Sequence, residues 1–235
     1  MLLEVIVTNA DDAIAAERGG ADRLELITAV SEGGLTPSIG IVEETARAVR
    51  IPVYAMVRPH SRSFVYGESD LRAMIKDIEA IKRTPARGVV LGALTPERKV
   101  DVRTLEALLE AAEGLGVTFH RAIDEADGLL EAYETLLAYP QIERVLTSGG
   151  KASALDAAAD IRRLAERSRG ERLSVMAGSG LTLAALPEFL PAAGAAEIHF
   201  GKGARIRESS GEDIDVARVK AIKQCLARHG LGQTT

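Results

Sequence analysis

The chain has a single cysteine, no tryptophan, and no uninterrupted apolar run approaching the roughly 18 residues that a membrane-spanning helix requires. One thiol cannot close an internal disulfide, so a reducing cytoplasm is the expected compartment. The opening stretch Met-Leu-Leu-Glu-Val-Ile-Val lacks the basic region and small-residue cleavage site of a secretory signal, and it reads as a strand. No Pro/Ser-rich linker or break in composition divides the 235 residues. One domain over 1–235, with a core from about 2 to 228, is therefore expected. Positive charge is in the minority, with a net charge of −5. Neither nucleic acid nor an anionic membrane is the expected partner, although a local basic pocket remains compatible.

What is present is alternation. Short runs rich in Val, Ile and Leu predict strands near 2–7, 23–27, 52–58, 88–92, 116–121, 143–147, 173–177 and 196–200. Helical periodicity predicts helices near 10–19, 38–49, 69–83, 101–115, 127–138, 153–168, 182–191 and 214–228. Ser38, Asp101 and Asp127 stand where N-caps belong, and Gly116 and Gly194 where helices should stop. At about 29 residues per strand-helix unit, the spacing matches a TIM-type (β/α)8 barrel of the α/β class near its lower size limit. The rival open doubly wound sheet usually shows a glycine-rich turn after its first strand. Here that strand leads into Thr8-Asn9-Ala10-Asp11-Asp12.

Barrel strands alternate between lumen and helices, and sites form at their C-terminal ends. Polar residues near those ends are Glu4, Arg23 and Glu25, Arg58 and His60, then Thr118, His120 and Asp124, followed by Ser148, Ser179 and His199. Parity with Thr118 aims His120 and Asp124 at the lumen and leaves Arg121 at the rim. Glu4 and Glu25 interrupt apolar strands, so each is either an internal ion pair or a carboxyl with a raised pKa. Gly178-Ser179-Gly180 after strand seven and Gly201-Lys202-Gly203 after strand eight lie where barrels commonly hold a phosphate. The stretch from Arg58 to Tyr66 reads as a rim loop, a lid or an interface.

Two chemistries follow from the residues alone. In an enzyme of lyase or isomerase type, Arg58, Arg121, Ser148, Gly178, Ser179, Gly180, Gly201 and Lys202 would hold a small phosphorylated or carboxylated metabolite. His120 with Glu25 or Asp124 would then transfer protons. In a metal-binding protein, His60, His120 and His199 are the imidazoles available.

Several segments together resemble the CutC family, the proteins named for copper homeostasis. They are Arg23-Leu24-Glu25-Leu26, Glu32-Gly33-Gly34-Leu35-Thr36-Pro37-Ser38, Val57-Arg58-Pro59, Thr118-Phe119-His120-Arg121-Ala122-Ile123-Asp124 and Val145-Leu146-Thr147-Ser148-Gly149. The resemblance implies a cytoplasmic TIM-type barrel, an association with copper tolerance, and Cu(I) binding in some members. It places Glu25, Arg58, His120, Arg121, Asp124 and Ser148 around the barrel mouth, and it supplies no reaction. Cu(I) prefers thiolate and thioether ligands. The one thiol, Cys225, lies beside Val219, Ile222 and Leu226 on the last helix and reads as a packing residue, as Met56 and Met176 do within their strands. A homodimer is expected only because symmetric dimers are common.

Overall fold

The computed structural model describes residues 1–231; residues 232–235 of the expected 1–235 span lie outside the described residues. Eight parallel strands close into a barrel in chain order: β1 (Leu2–Val7), β2 (Arg23–Leu26), β3 (Val53–Met56), β4 (Gly88–Leu91), β5 (Gly116–Phe119), β6 (Ile142–Thr147), β7 (Ser174–Ala177) and β8 (Glu197–Phe200). The outer ring is α1 (Ala10–Gly19), α2 (Ile39–Ala48), α3 (Glu68–Ile81), α4 (Val102–Ala111), α5 (Leu129–Leu137), α6 (Ala158–Arg167), α7 (Leu186–Ala193) and α8 (Val216–Leu231). None of these helices is long and apolar enough to cross a membrane.

Strand alternation sorts the side chains. In β1, Leu3, Val5 and Val7 are fully buried in the main core with helix residues such as Ala13 and Ala16. Glu4 and Ile6 take the opposite face, toward the lumen. Helices answer with a stripe of period 3.6: Leu105, Leu108 and Leu109 are the buried face of α4. Ser38 and Asp101 cap α2 and α4 as expected, accepting the Ile41 and Thr104 amides. Gly194, at φ 64°, closes α7.

Two expected boundaries are corrected. Asp127 is not the cap of α5; Gly128 holds that position at φ 98°, while the Asp127 amide bonds the Arg98 carbonyl. Gly116 does not stop α4, which ends at Ala111, but opens β5. Its role is spatial, because Tyr54 of β3 crosses the lower lumen. A Cβ at Gly116 would lie 2.2 Å from the Tyr54 hydroxyl, and one at Gly88 would lie 2.3 Å from its ring. The two glycines make the slot that this ring fills.

Around the ring is a polar network. The Tyr54 hydroxyl donates to Glu143 at 2.6 Å, and Arg144 bonds Glu143 at 2.8 Å and Thr118 at 3.1 Å. Glu197 then joins Arg144, at 3.2 Å, to Arg23, at 2.5 Å. This layer lies below the upper lumen.

Overpacking that slot costs stability, by about 1–3 kcal/mol in comparable cores. Gly88→Ala should therefore lower the urea midpoint with little change in slope, whereas Gly114→Ala, whose added Cβ meets nothing within 4 Å, should cost only the strain of its φ of 87°. Equal losses at the two positions would refute the steric account.

Candidate functional site at the barrel mouth

A cavity of about 390 Å³ opens at the C-terminal ends of the strands. Its wall includes Glu25, Arg58, His120, Ser179, His199 and Lys202, brought together from β2, β3, β5, β7 and β8. Ile6, Ile27, Met56 and Leu146 make the intervening wall apolar.

On one side lies a chain of buried acid-base groups. Ladder register sets Glu4 between Arg23 on β2 and His199 on β8. One Glu4 oxygen takes the Arg23 Nε–H, and the other lies 2.8 Å from His199 Nδ1. Burial opposes its charge, but Arg23 and His199 outweigh burial and hold the carboxyl at about 2. Glu25 sits 3.8 Å from His199 Nε2, and its Oε1 is buried without a partner. Burial raises Glu25 to about 7, and the neighbouring Glu4 charge pushes the same way against the pull of His199. His199 is raised because Glu25 and Glu4 together overcome its desolvation. The two carboxylates that interrupt apolar strands thus have opposite fates. Glu4 is a paired anion, whereas Glu25 is poised between protonation states near neutrality.

Opposing them are groups that can only donate. His120 is 3% exposed, and its Nδ1 accepts the Ala122 amide at 3.2 Å, so the ring proton is on Nε2. Burial, then the charge of Arg58, lowers its pKa to about 3 and keeps the ring neutral. The Nε2 finds no acceptor. Arg58 is clamped by the β2–α2 loop, with Nη1 donating to the Glu32 and Gly34 carbonyls at 3.0 and 3.1 Å. Its Nε is likewise buried and unpartnered. Phe64 packs against both, 4.8 Å from the His120 ring and 4.7 Å from the Arg58 guanidinium. The expected rim loop from Arg58 to Tyr66 thus folds inward and is pinned by the Leu94 amide on the Phe64 carbonyl.

At the rim, Ser179 holds φ 79°, a strained value for a residue with a side chain. Its hydroxyl turns away to the Ala152 carbonyl, so what it can offer the cavity is backbone. Among the described residues, no protein acceptor takes the amides of Ser179, Gly180 or Gly201. The exposed Lys202 adds a positive charge beside them.

Of the remaining candidates, Arg121 and Asp124 also line the cavity, but their polar atoms are engaged with one another and with β6. The chain leaves β5 before Asp124, so strand parity does not reach that residue. A 3-10 turn over Arg121–Glu125 swings its carboxylate onto the end of β6. There it accepts from Thr147 Oγ1, the Ser148 and Gly150 amides, Ser148 Oγ and Arg121 Nε. Both oxygens are committed, which leaves Glu25 as the carboxyl free for proton transfer. Arg121, 41% exposed, stays at the rim and reaches Ser148 at 2.9 Å. Ser148 and Gly178 lie behind the wall; a Cβ at Gly178 would meet His199 at 3.0 Å. Strand-end reading missed Arg205, a wall residue paired with Asp12 at 2.8 Å. It follows a 3-10 turn rather than a strand, so no periodic signal marks it.

The histidines diverge. His60 turns to Asp70 at 3.5 Å, His120 to the Ala122 amide and His199 to Glu4. Among the described residues, Glu4, Glu25 and His199 form the group whose ligand atoms lie within 4.8 Å of one another and could hold a metal ion.

A model of the CutC family matches residues 1–204. The chain belongs to the CutC family. A CutC family protein from Photobacterium profundum is 41% identical over 204 residues, covering 86% of this chain and 82% of that protein. The human copper homeostasis protein cutC homolog is 43% identical over 198 residues, covering 84% and 72%. A crystal structure of a CutC protein from Streptococcus agalactiae superposes with a TM-score of 0.80 at 28% identity, covering 86% of this chain and 98% of that one. Phosphoribosyl anthranilate isomerase from Thermotoga maritima reaches 0.65 at 14% identity, over 97% of this chain and 100% of that one, which shows the shared barrel alone.

The family implies copper, and the donors here fit Cu(I) poorly. That ion prefers sulfur. Cys225 packs on the outer core, and the Met176 thioether already accepts from Arg23 at 3.2 Å. Glu4 is engaged at both oxygens, leaving Glu25 and His199 Nε2 with a guanidinium close by.

Because folded Glu25 keeps its proton until about pH 7 and an ordinary glutamate until 4.5, the native state binds more protons across that interval and stability falls as pH rises through it. His199 acts in the same sense: its contribution is full below its ordinary 6.5 and is lost above. Glu4 acts oppositely, its contribution vanishing only as pH falls from 4.5 toward 2. Urea midpoints of the wild type should therefore decline between about pH 5 and about pH 8, and those of Glu25→Gln should decline less. Parallel curves would show that Glu25 does not titrate there.

Proposed function

We propose that the barrel mouth is a proton-transfer site for a small phosphorylated or carboxylated metabolite, making this CutC protein an enzyme of lyase or isomerase type. One observation supports this most: Glu25 Oε1, Arg58 Nε and His120 Nε2 are buried without partners on the wall of one cavity. Native structures rarely leave such groups unsatisfied, because each forfeits its hydration on burial. Three together on one wall are matched by a ligand that brings complementary atoms.

In this reading Glu25 is the acid-base group, and His199, oriented by Glu4, exchanges charge with it so that the pair shares a proton. His120 and Arg58 donate hydrogen bonds to substrate oxygen. The free amides of Ser179, Gly180 and Gly201, with Lys202, hold the anionic end. A cytoplasmic location suits the single thiol.

Metal binding at Glu4, Glu25 and His199 is the second reading, supported by their spacing. Arg23 beside Glu4 opposes it, and the scarcity of sulfur opposes a tight Cu(I) site.

Two measurements test these readings. Incubated with a pool of small phosphorylated and carboxylated metabolites, the wild type should deplete at least one that Glu25→Gln leaves intact; equal turnover by both would remove Glu25 from the chemistry. In competition with a weak Cu(I) chelator the apo-protein should take no metal, and stoichiometric capture would restore the copper reading.

A further inference from the structure

We propose that the reacting group at this site is a carbonyl, its oxygen received jointly by His120 Nε2–H and Arg58 Nε–H, and that the substrate is a small phosphorylated aldehyde or ketone. This rests on the proton-transfer reading above and names the substrate class.

The argument begins with what the two donors cannot do. Arg58 does not lose its proton. His120 has its Nδ1 filled by the Ala122 amide and Arg58 as its charged neighbour, so its free edge is an N–H in a neutral ring. Neither group can act as a base, and both require an oxygen acceptor. Their positions are firmly set: the Arg58 Nη1 is tied to two carbonyls, and the His120 ring rests against Gly92, where a Cβ would lie 2.8 Å from Nδ1 and Cε1. Preorganised donors in a dry wall stabilise charge that develops during reaction more than charge already present.

Glu25 comes from β2 and His120 follows β5, well apart around the closed barrel. Arg58 follows β3, between them in the strand order. A proton acceptor and two oxygen-seeking donors on the wall of one cavity suit the carbon next to a carbonyl. The Glu25 carboxylate takes the proton as the C–H bond breaks. The C–H electron pair becomes the C=C bond of an enolate, and the carbonyl π pair becomes a lone pair on the oxygen facing His120 and Arg58. Glu25 then returns the proton to carbon, and no oxidant or reductant is consumed. The glycine-turn amides with Lys202 lie at the rim, away from the floor of the barrel, and suit a phosphate at the substrate's other end.

The test uses the full chain and three probes. Glycolaldehyde phosphate in D2O reports loss of the C2 hydrogens by proton NMR, while ethyl phosphate and 2-phosphoglycolate report binding by calorimetry. The expected results are C2 exchange faster than in buffer, abolished in Glu25→Gln and slowed about 100-fold in His120→Phe. 2-Phosphoglycolate should also bind about tenfold tighter than ethyl phosphate, an advantage lost in His120→Phe and kept in part by His120→Gln, which retains a donor N–H. Circular dichroism of each variant checks folding. If the phosphates bind but exchange stays at the buffer rate, the carbonyl assignment is overturned and the anion site stands. If no probe binds and none exchanges, both fall.

Discussion

The buried ion pair between Glu4 and Arg23 is the constraint on which the rest of the site depends. Closing the barrel in register makes the two residues lateral neighbours on β1 and β2 and puts His199 on the other flank of Glu4. Arg23 keeps Glu4 ionised in a place where burial alone would neutralise it. Glu4 in turn engages His199 at 2.8 Å, and Glu25 is left 3.8 Å from the other imidazole nitrogen with its Oε1 unpartnered. A buried carboxyl in that position resolves its desolvation by moving its pKa, here into the neutral range. The same arginine joins the polar layer below through Glu197, so one guanidinium belongs to the lower network and sets the electrostatics of the upper lumen.

Two kinds of polar group therefore line one lumen. Those below the cavity pair mainly with one another: Tyr54, Glu143, Arg144, Thr118 and Glu197 form hydrogen bonds and ion pairs, which is how a barrel interior tolerates charge. Around the cavity, Glu25, Arg58 and His120 line the wall and each keeps one buried atom without a partner. The unusual backbone of Ser179, next to glycines on the same wall, belongs with the second group. Strain and unsatisfied hydrogen bonds are stability given up locally, and some of each is found at this wall.

Membership of the CutC family and the donor chemistry of this chain point in different directions. Relatives are named for copper homeostasis, while the buried cluster here is two carboxylates and an imidazole already threaded by an arginine. The proposed proton transfer would use His120 and Arg58, which lie outside the cluster that could hold a metal.

Alternating apolar strands and helical stripes were enough to specify an eight-unit barrel, because periods of 2 and 3.6 are local properties and closure follows from their number. Strand-end position likewise marks Glu25, Arg58, His120 and His199, all of which line the cavity. Local pattern failed where the chain turned off the strand: Asp124 is reoriented by a 3-10 turn, Arg205 follows another, and Gly116 serves a tyrosine two strands away. Only the tertiary structure decided which carboxylate is paired and which is free. The sequence by itself determined the fold and the wall on which the site would be built. The division of labour between Glu4 and Glu25 required barrel closure, because their pKa values depend on which charges β8 and β2 bring alongside, and that is set by register across the whole chain.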